Sequence, residues 1–324
     1  MTTTVAVPVS RLKFFAISWF AVVMGLGGTA VAWHKADKVL AIGLPIGAAL
    51  GYVAVAAFVA IAAIYLLKAQ RHPDAVAAEF AHPIRLSFFP AFSISLILLS
   101  VVFMEAAPRF AFWLWAVGVP IQLGLSLYVI TAWIRQDIFQ VQHSNPAWFI
   151  PVVGNILVPV AGVAFAPAEL SWFFFSVGLF FWLALFTLIL NRMLFHGMMP
   201  ERLIPTLFIL IAPPAVAFIS YLRLTGELDN FARILYYLAV FFTLLVFMQW
   251  RLFAKLEFYL SWWAGSFPMA ALTVATFLMF ETTGQTFFAG LGGVFLAILS
   301  GLVVLLIFLT ARGVASGTIC VEEK

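Results

Sequence analysis

The sequence predicts an all-α polytopic membrane protein, and three observations carry that prediction. Of the 324 residues, 65% are hydrophobic and 9% are charged, whereas a soluble domain carries about 25% charged residues. Apolar runs of about 20 residues, the length of a helix that crosses about 30 Å of hydrocarbon, recur along nearly the whole chain. These runs are continuous, which excludes a transmembrane β-barrel, whose strands alternate between apolar and polar residues.

The apolar runs define ten predicted membrane spans. They cover residues 14–33, 39–67, 88–107, 110–134, 147–167, 169–191, 203–222, 231–250, 258–280 and 287–311. With the N-terminus in the cytoplasm, twelve Lys and Arg residues fall on the cytoplasmic side and five on the other, which predicts that both termini are cytoplasmic. The chain is thus divided into a tail, 1–13, a single transmembrane domain, 14–311, and a second tail, 312–324.

The first span has an alternative interpretation. The basic residues Arg11 and Lys13, the apolar run that follows and the small residues at 30–32 resemble a cleavable signal peptide. The run is nearer the length of a full span, and Trp33 and the polar residues after it are typical of an interfacial anchor. We therefore interpret it as a membrane span.

Helix breakers concentrate in the odd-numbered spans. Seven prolines lie there, namely Pro90, Pro151, Pro159, Pro205, Pro213, Pro214 and Pro268, against Pro45 and Pro120 in the even spans. The first span has no proline but carries Gly25, Gly27 and Gly28 at a comparable depth. The breaks recur at the spacing of one helical hairpin, which indicates five hairpin repeats.

Broken backbone is tolerated in a membrane where it is buried or lines a wet cavity. The odd spans are therefore predicted to be inner helices in a quasi-fivefold arrangement around a central pore. The predicted kinks are Gly25, Gly28, Pro90, Pro159, Pro213, Pro214 and Pro268. The alternative is that proline is simply commoner in membrane helices than in soluble ones.

Charged residues and histidines avoid the middle of every predicted span. This argues against proton relays and voltage-sensing arginines, and no metallohydrolase, intramembrane protease or haem motif is present. We interpret the histidines as interfacial residues rather than metal ligands, the segment 71–85 as a solvated loop, and Cys320 as a lone thiol. The net charge of +4 reflects the loops, so we expect no nucleic-acid partner, no cofactor and no enzymatic activity.

An anion could be attracted by helix ends, because each proline break starts a half-helix with a positive N-terminal dipole end. Small polar side chains are candidates for the pore lining: Ser18, Ser93, Asn155, Ser266 and Thr273, with Ser95 and Thr276 beside them. Hydrogen bonding between helices explains each of these equally well. Arg85 and Arg202 are candidates for the cytoplasmic mouth, with ordinary positive-inside topology as the alternative.

Four segments occur in order along the chain: EFAHPIRLSFFP (79–90), NPAWFIPVVGN (145–155), PTLFILIAPPAVAF (205–218) and WWAGSFPMAALTVAT (262–276). Together they resemble the tellurite-resistance/dicarboxylate transporter family, which includes the plant slow-type anion channels. The resemblance implies a homotrimer in which five inner and five outer helices of each protomer form a separate pore. It also implies a pore phenylalanine on the ninth span, and the matching residue is Phe267.

The leading hypothesis is an anion channel, or channel-like transporter, that conducts small monovalent anions such as chloride or nitrate and is occluded by Phe267. We expect it in a bacterial inner membrane, surrounded by lipid. The first alternative is a secondary transporter that exports C4-dicarboxylates, sulfite or tellurite-related oxyanions. The second is a membrane scaffold without transport, which would leave the kinked spans unexplained. The long tails through which the plant channels are phosphorylated have no counterpart in the sequence, so that regulation is not carried over.

Overall fold

The computed structural model of the protein describes residues 11–321. Helix makes up 83% of the structure, no strand occurs among the described residues, and ten helical segments are long and apolar enough to cross a membrane. The predicted all-α class and number of spans are confirmed. Residues 1–10 of the first predicted tail and 322–324 of the second lie outside the described residues.

We number the spans 1 to 10 in chain order. Their bounds are Ile17–Leu40, Ile46–Arg71, Arg85–Phe103, Pro108–Arg135, Pro146–Phe165, Ala168–Phe195, Glu201–Thr225, Asn230–Met248, Leu260–Thr283 and Thr286–Ser316. Arg11 donates a hydrogen bond of 3.3 Å to the Val314 carbonyl oxygen, so both described chain ends lie at one face. We call this the terminal face, at which odd spans begin and even spans end, and the opposite side the distal face.

Odd and even spans are built differently. The even spans are single α-helices with the bounds given above. Every odd span begins with a 3₁₀ segment: Ile17–Trp19, Arg85–Phe88, Pro146–Trp148, Glu201–Ile211 and Leu260–Gly265. Their α-helical parts are Phe20–Leu40, Ala91–Phe103, Phe149–Val153 and Val158–Phe165 (joined by a second 3₁₀ segment, Gly154–Leu157), Ala212–Thr225 and Ser266–Thr283.

Proline accounts for where four of these α-helical parts begin. Pro90 directly precedes one part, and Pro159, Pro213 and Pro268 occupy the first turn of three others. Proline fits there because the first N–H groups of a helix have no intrahelical acceptor and its φ is already helical. The predicted breaks in spans 3, 5, 7 and 9 therefore coincide with changes from 3₁₀ to α-helix, and Pro214 follows Pro213 in the same first turn.

The first span differs from the prediction. Its α-helix continues without interruption through Gly25 and Gly28, so these glycines do not break it. They allow close approach to span 9 instead. A Cβ on Gly25 would lie 2.2 Å from Ser266 Oγ and 2.8 Å from Trp263 Cε3, while a Cβ on Gly28 would lie 3.0 Å from the Ala270 Cβ. Small residues at such crossings let two helix backbones come near each other in a membrane.

This close approach makes Gly25 sensitive to substitution. We expect Gly25→Ala to lower the free energy of unfolding by about 1–3 kcal/mol, because the added methyl overpacks the contact with span 9. A lower melting temperature of the purified protein in detergent would report the loss. Gly290→Ala is the control, since Gly290 lies in the span 10 helix with open space around its Cβ position. Equal melting temperatures for the two variants would mean that Ser266 and Trp263 relax without cost.

The odd spans form a closed inner ring. Each contacts the next odd span in chain order, and span 9 contacts span 1. In the most apolar stretch of each odd span, 67–94% of residues are buried, against 17–39% in the even spans. Each even span packs on the odd span before it. Inner spans that combine 3₁₀ and α-helical parts are therefore backed by outer spans that are continuous α-helices. The exposed apolar faces of the even spans suit a lipid environment.

The connection between spans 1 and 2 lies later than predicted. Span 1 remains helical through Lys35, Asp37 and Lys38, and its helix ends at Leu40, after which Ala41 adopts φ 51° and Gly43 φ 71°. The loop was expected at residues 34–38 because those residues are polar. These residues remain helical because Lys35 and Lys38 form ion pairs with glutamates near the ends of neighbouring spans.

The connection between spans 2 and 3 is not simply a solvated loop. It contains a helix, Pro73–Ala81, which begins with proline and is fixed to span 2 by a buried ion pair. Lys68 Nζ lies 3.0 Å from Glu79 Oε1, and the two side chains are 1% and 3% exposed. Lys68 also donates to the Phe15 carbonyl oxygen at 2.9 Å, and the Tyr65 hydroxyl donates to Glu79 at 2.7 Å.

Candidate functional site

Two cavities lie one above the other inside the ring of odd spans. The terminal cavity has a volume of about 80 Å³, and the distal cavity has a volume of about 630 Å³. All five odd spans contribute to both cavities, and within residues 11–321 no even span lines either of them. The ring of kinked helices therefore encloses an axial space, as the sequence predicted.

Three residues line both cavities and hence separate them. They are Leu157 of span 5, Val216 of span 7 and Phe267 of span 9, and we call them the collar. In spans 1 and 3 the residues that line the two cavities lie one helical turn apart. Met24 and Ile94 line the terminal cavity, while Gly28 and Leu98 line the distal one.

Phe267 occupies a distinctive position in the collar. It lies in the first turn of the α-helical part of span 9, directly before Pro268. Its neighbours Ser266 and Pro268 are buried, whereas Phe267 is half-buried because it faces the two cavities. On the span 1 side, a Cβ on Gly28 would lie 3.3 Å from Phe267 Cδ2, so the missing side chain leaves the space that the ring occupies.

Apolar side chains dominate the terminal cavity, although its electrostatics are set by helix ends. Residues at or beside the start of each α-helical part line it: Ala21, Ala91, Leu157, Ala212, Pro213, Phe267 and Pro268. Five helix N-termini therefore converge there. Because each N-terminus carries a partial positive charge, the cavity favours an anion although no charged side chain of the described residues lines it.

The distal cavity is lined by charged side chains. Lys35 is hydrogen-bonded to Glu281, and Lys38 to Glu105, which links span 1 to the ends of spans 9 and 3. Arg223 of span 7 also lines the cavity. The hydrogen bond from Lys38 holds the pKa of the Glu105 carboxyl below its ordinary value. That pair is therefore intact at neutral pH and is lost only as the pH falls through the lowered value.

The small polar residues predicted as pore lining lie elsewhere. Ser93, Asn155, Ser266 and Thr273 are buried between helices, Ser18 is half-buried in the opening 3₁₀ turn of span 1, and none of the five lines either cavity. The four buried side chains donate hydrogen bonds to backbone carbonyl oxygens. Ser93 donates to Pro90 and Asn155 to Val152, while Ser266 donates to Trp263 and Thr273 to Met269.

Backbone carbonyls beside a helix interruption need hydrogen-bond partners from within the protein, because hydrocarbon supplies none. The Pro151 carbonyl oxygen illustrates this, since Gln122 and Ser126 reach inward from span 4 and donate to it at 3.0 and 2.5 Å. Asn155 Nδ2 donates to Ser126 at 3.0 Å in the same network. Interhelical hydrogen bonding, the alternative considered from the sequence, is found for Ser93, which donates to Gln122, and for Asn155, which donates to Ser126. Ser266 and Thr273 instead bond within their own span.

Only some of the remaining predicted site residues line a cavity. Pro213 and Pro268 line the terminal cavity, whereas Pro90, Pro159 and Pro214 line neither cavity. Arg85 and Arg202 lie half-buried at the first residues of spans 3 and 7, at the terminal face, and neither lines the terminal cavity. No group of three or more His, Cys, Asp or Glu side chains suited to a metal ion occurs in the described part of the chain.

Sequence reasoning missed Leu157 and Val216 as members of the collar. A usable signal was present, because each lies two or three residues from a proline that aligns with Pro268. The charged lining of the distal cavity was missed for another reason. Lys35 and Lys38 were assigned to a loop, and a loop gave no indication that they face the axis.

The ring of interrupted helices and the two cavities that meet at an apolar collar define a multi-pass membrane channel or transporter. The chain belongs to the SLAC1 family, described as voltage-dependent anion channels, whose sequence profile matches residues 14–311. This confirms the resemblance noted in the sequence. The family consists of anion channels and transporters, not enzymes.

Relatives of the chain come from plants, archaea and bacteria. The chain is 30% identical over 272 residues to the S-type anion channel SLAH3 of Arabidopsis thaliana, covering 81% of this chain and 42% of that protein. It is 27% identical over 303 residues to an uncharacterized transporter of Methanocaldococcus jannaschii, covering 85% and 87%. It is 25% identical over 262 residues to a tellurite resistance protein TehA homolog of Haemophilus influenzae, covering 78% of each.

The plant relatives are longer proteins. The chain spans 42% of SLAH3 and 52% of a second Arabidopsis channel, SLAH2. The archaeal and bacterial relatives are matched over most of their length. The similarity to the plant channels thus concerns a shared membrane region and not the whole of those proteins.

Proposed function

We propose that the protein is an anion channel, or channel-like transporter, that conducts small monovalent anions such as chloride or nitrate and is held closed by Phe267. The observation that carries the proposal is that two cavities lined by all five odd spans are separated only by the collar. An apolar constriction of this kind gates by steric block and by exclusion of water. Displacement of one ring would join the cavities into a continuous path.

The electrostatics of the terminal cavity support anions as the permeating species, because five helix N-termini converge on it. In the distal cavity Lys35, Lys38 and Arg223 are matched by Asp37, Glu105 and Glu281, so that lining supplies no net positive charge. The side chains of the collar are apolar and do not titrate. A conduction path without a proton relay at its narrowest level favours passive movement over proton-coupled exchange.

The assembly is proposed from the family resemblance, which implies a homotrimer. We propose that each protomer has its own pore, because each single chain already encloses both cavities. We place it in a bacterial inner membrane with the terminal face in the cytoplasm. The excess of Lys and Arg in the connections at that face supports this orientation.

A secondary transporter of C4-dicarboxylates, sulfite or tellurite-related oxyanions is the second candidate. The distal cavity, at about 630 Å³, has room for a polyatomic oxyanion, and relatives include a tellurite resistance protein homolog and an uncharacterized transporter. A carrier of this kind would load its substrate in the distal cavity and would need a conformational change to pass the collar.

Anion substitution across a planar bilayer that contains the purified protein distinguishes these candidates. We expect currents whose reversal potential follows the Nernst potential of chloride or nitrate and does not move with a pH gradient. Bilayers that receive only detergent buffer are the control. A reversal potential that shifts with the pH gradient would indicate a proton-coupled carrier. The absence of any current or flux from both the parent and Phe267→Ala would indicate a protein without transport.

A further inference from the structure

The collar has three members, and two of them differ from Phe267 in how they are held. Leu157 is 5% exposed and Val216 is 6% exposed, so both side chains are fixed by packing, whereas Phe267 is half-buried between two cavities. The collar therefore consists of one ring with a cavity on either side and two closely packed walls.

The positions of the two walls are set by the helix breaks. Leu157 is the last residue of the second 3₁₀ segment of span 5, directly before the helix that begins at Val158. Val216 follows Pro213 and Pro214 in the first turns of the α-helical part of span 7. Proline fixes φ at Pro159, Pro213 and Pro214, so the backbone beside each wall is restricted, and the side chains of both walls are held by packing.

We propose that Leu157 and Val216 complete the water barrier with Phe267, and that they set the largest anion that passes once the ring is displaced. The second half rests on the proposed function, because it concerns permeating anions. The first half does not, since a barrier to water exists whether or not the protein conducts ions. The two halves therefore need separate measurements.

Cysteine accessibility tests the barrier without any measurement of transport. In a Cys320→Ser background, Leu157→Cys and Val216→Cys are exposed to a membrane-impermeant anionic thiosulfonate from each side of sealed vesicles. Ile209→Cys and Ile219→Cys are controls, because Ile209 lines only the terminal cavity and Ile219 only the distal one. We expect each control to react from its own side, and the two collar cysteines to react about tenfold or more slowly from either side.

Adding Phe267→Ala to the same variants separates a water barrier from simple burial. We expect the collar cysteines to become reactive at the rate of the controls, because water then reaches the level of the collar. Rapid labelling of Leu157→Cys or Val216→Cys with Phe267 in place would overturn the barrier. Continued protection after Phe267→Ala would also overturn it, because packing alone would then account for the protection.

Relative permeability tests the size limit. In a Phe267→Ala background, we expect Leu157→Ala or Val216→Ala to raise the permeability of gluconate relative to chloride severalfold, while Ile209→Ala and Ile219→Ala leave the ratio unchanged. An equal rise in the controls, or no rise in the collar variants, would show that the walls do not limit anion size. If Phe267→Ala carries no anion current at all, the proposed function and the size limit both fail, while the labelling result still decides the barrier.

Discussion

Replacing Phe267 with alanine is expected to raise the anion current of the reconstituted protein about tenfold or more, which corresponds to a barrier lowered by at least about 1.4 kcal/mol. The physical reason is that the aromatic ring is the one half-buried member of the collar and has a cavity on either side. Its removal widens the constriction and weakens the exclusion of water from it. Single-channel or macroscopic currents in planar bilayers provide the measurement.

A series of side chains at this position sharpens the test. Conductance should decrease in the order Ala, Leu, Phe, because steric block and exclusion of water both increase with the size of an apolar group. Phe88→Ala is the matched control, since Phe88 lines the terminal cavity but is not part of the collar. If Phe267→Ala conducts no more than the parent or the control, Phe267 is a packing residue and not a gate.

The second large effect concerns stability rather than conduction. Replacing Lys68 with methionine is expected to lower the free energy of unfolding by about 3–5 kcal/mol, because it leaves the Glu79 carboxylate buried without its cation. The same substitution removes the ion pair between span 2 and the helix Pro73–Ala81, and it takes the Lys68 hydrogen bond from the Phe15 carbonyl oxygen. Melting temperature in detergent and the yield of folded protein report the loss.

Two further variants identify the cause of that loss. In Lys68→Met/Glu79→Leu no buried charge remains, so much of the stability should return. Lys13→Ala removes the other ion pair of this helix, between Lys13 and Asp74, whose side chains are 46% and 71% exposed. That loss should stay below about 1 kcal/mol, as is usual for surface pairs. A Lys68→Met variant as stable as Lys13→Ala would show that the buried pair contributes little.

The architecture was predictable because it depends on properties that a sequence displays directly. Apolar length gave the ten spans, and the distribution of prolines separated inner from outer helices. Pro213 and Pro268 were correctly associated with helix breaks, since proline acts on its own backbone whatever lies nearby. Gly25 was misinterpreted because glycine serves both breaks and close helix contacts, and only its neighbour Ser266 decides between them.

The lining of the pathway was less predictable, because it depends on which way each side chain faces. Ser93 and Asn155 lie on inner helices, yet they line neither cavity and donate instead to carbonyl oxygens of their own spans. Leu157 and Val216 are ordinary apolar residues in composition, and their importance comes from their depth relative to Phe267. The Lys68–Glu79 pair joins residues of span 2 and the following helix, and the residue types alone did not indicate that both would be buried.

Because the two cavities differ in volume, inhibitors are expected to act from one side of the membrane. A bulky organic molecule that approaches from the distal face finds about 630 Å³ lined by charged side chains of both signs before the collar, whereas one that approaches from the terminal face finds about 80 Å³ among apolar walls. Drug-sized ligands need pockets of about 300–1,000 Å³. Block by a small molecule is therefore expected from the distal side of the membrane only, with the molecule bound in the distal cavity next to the collar.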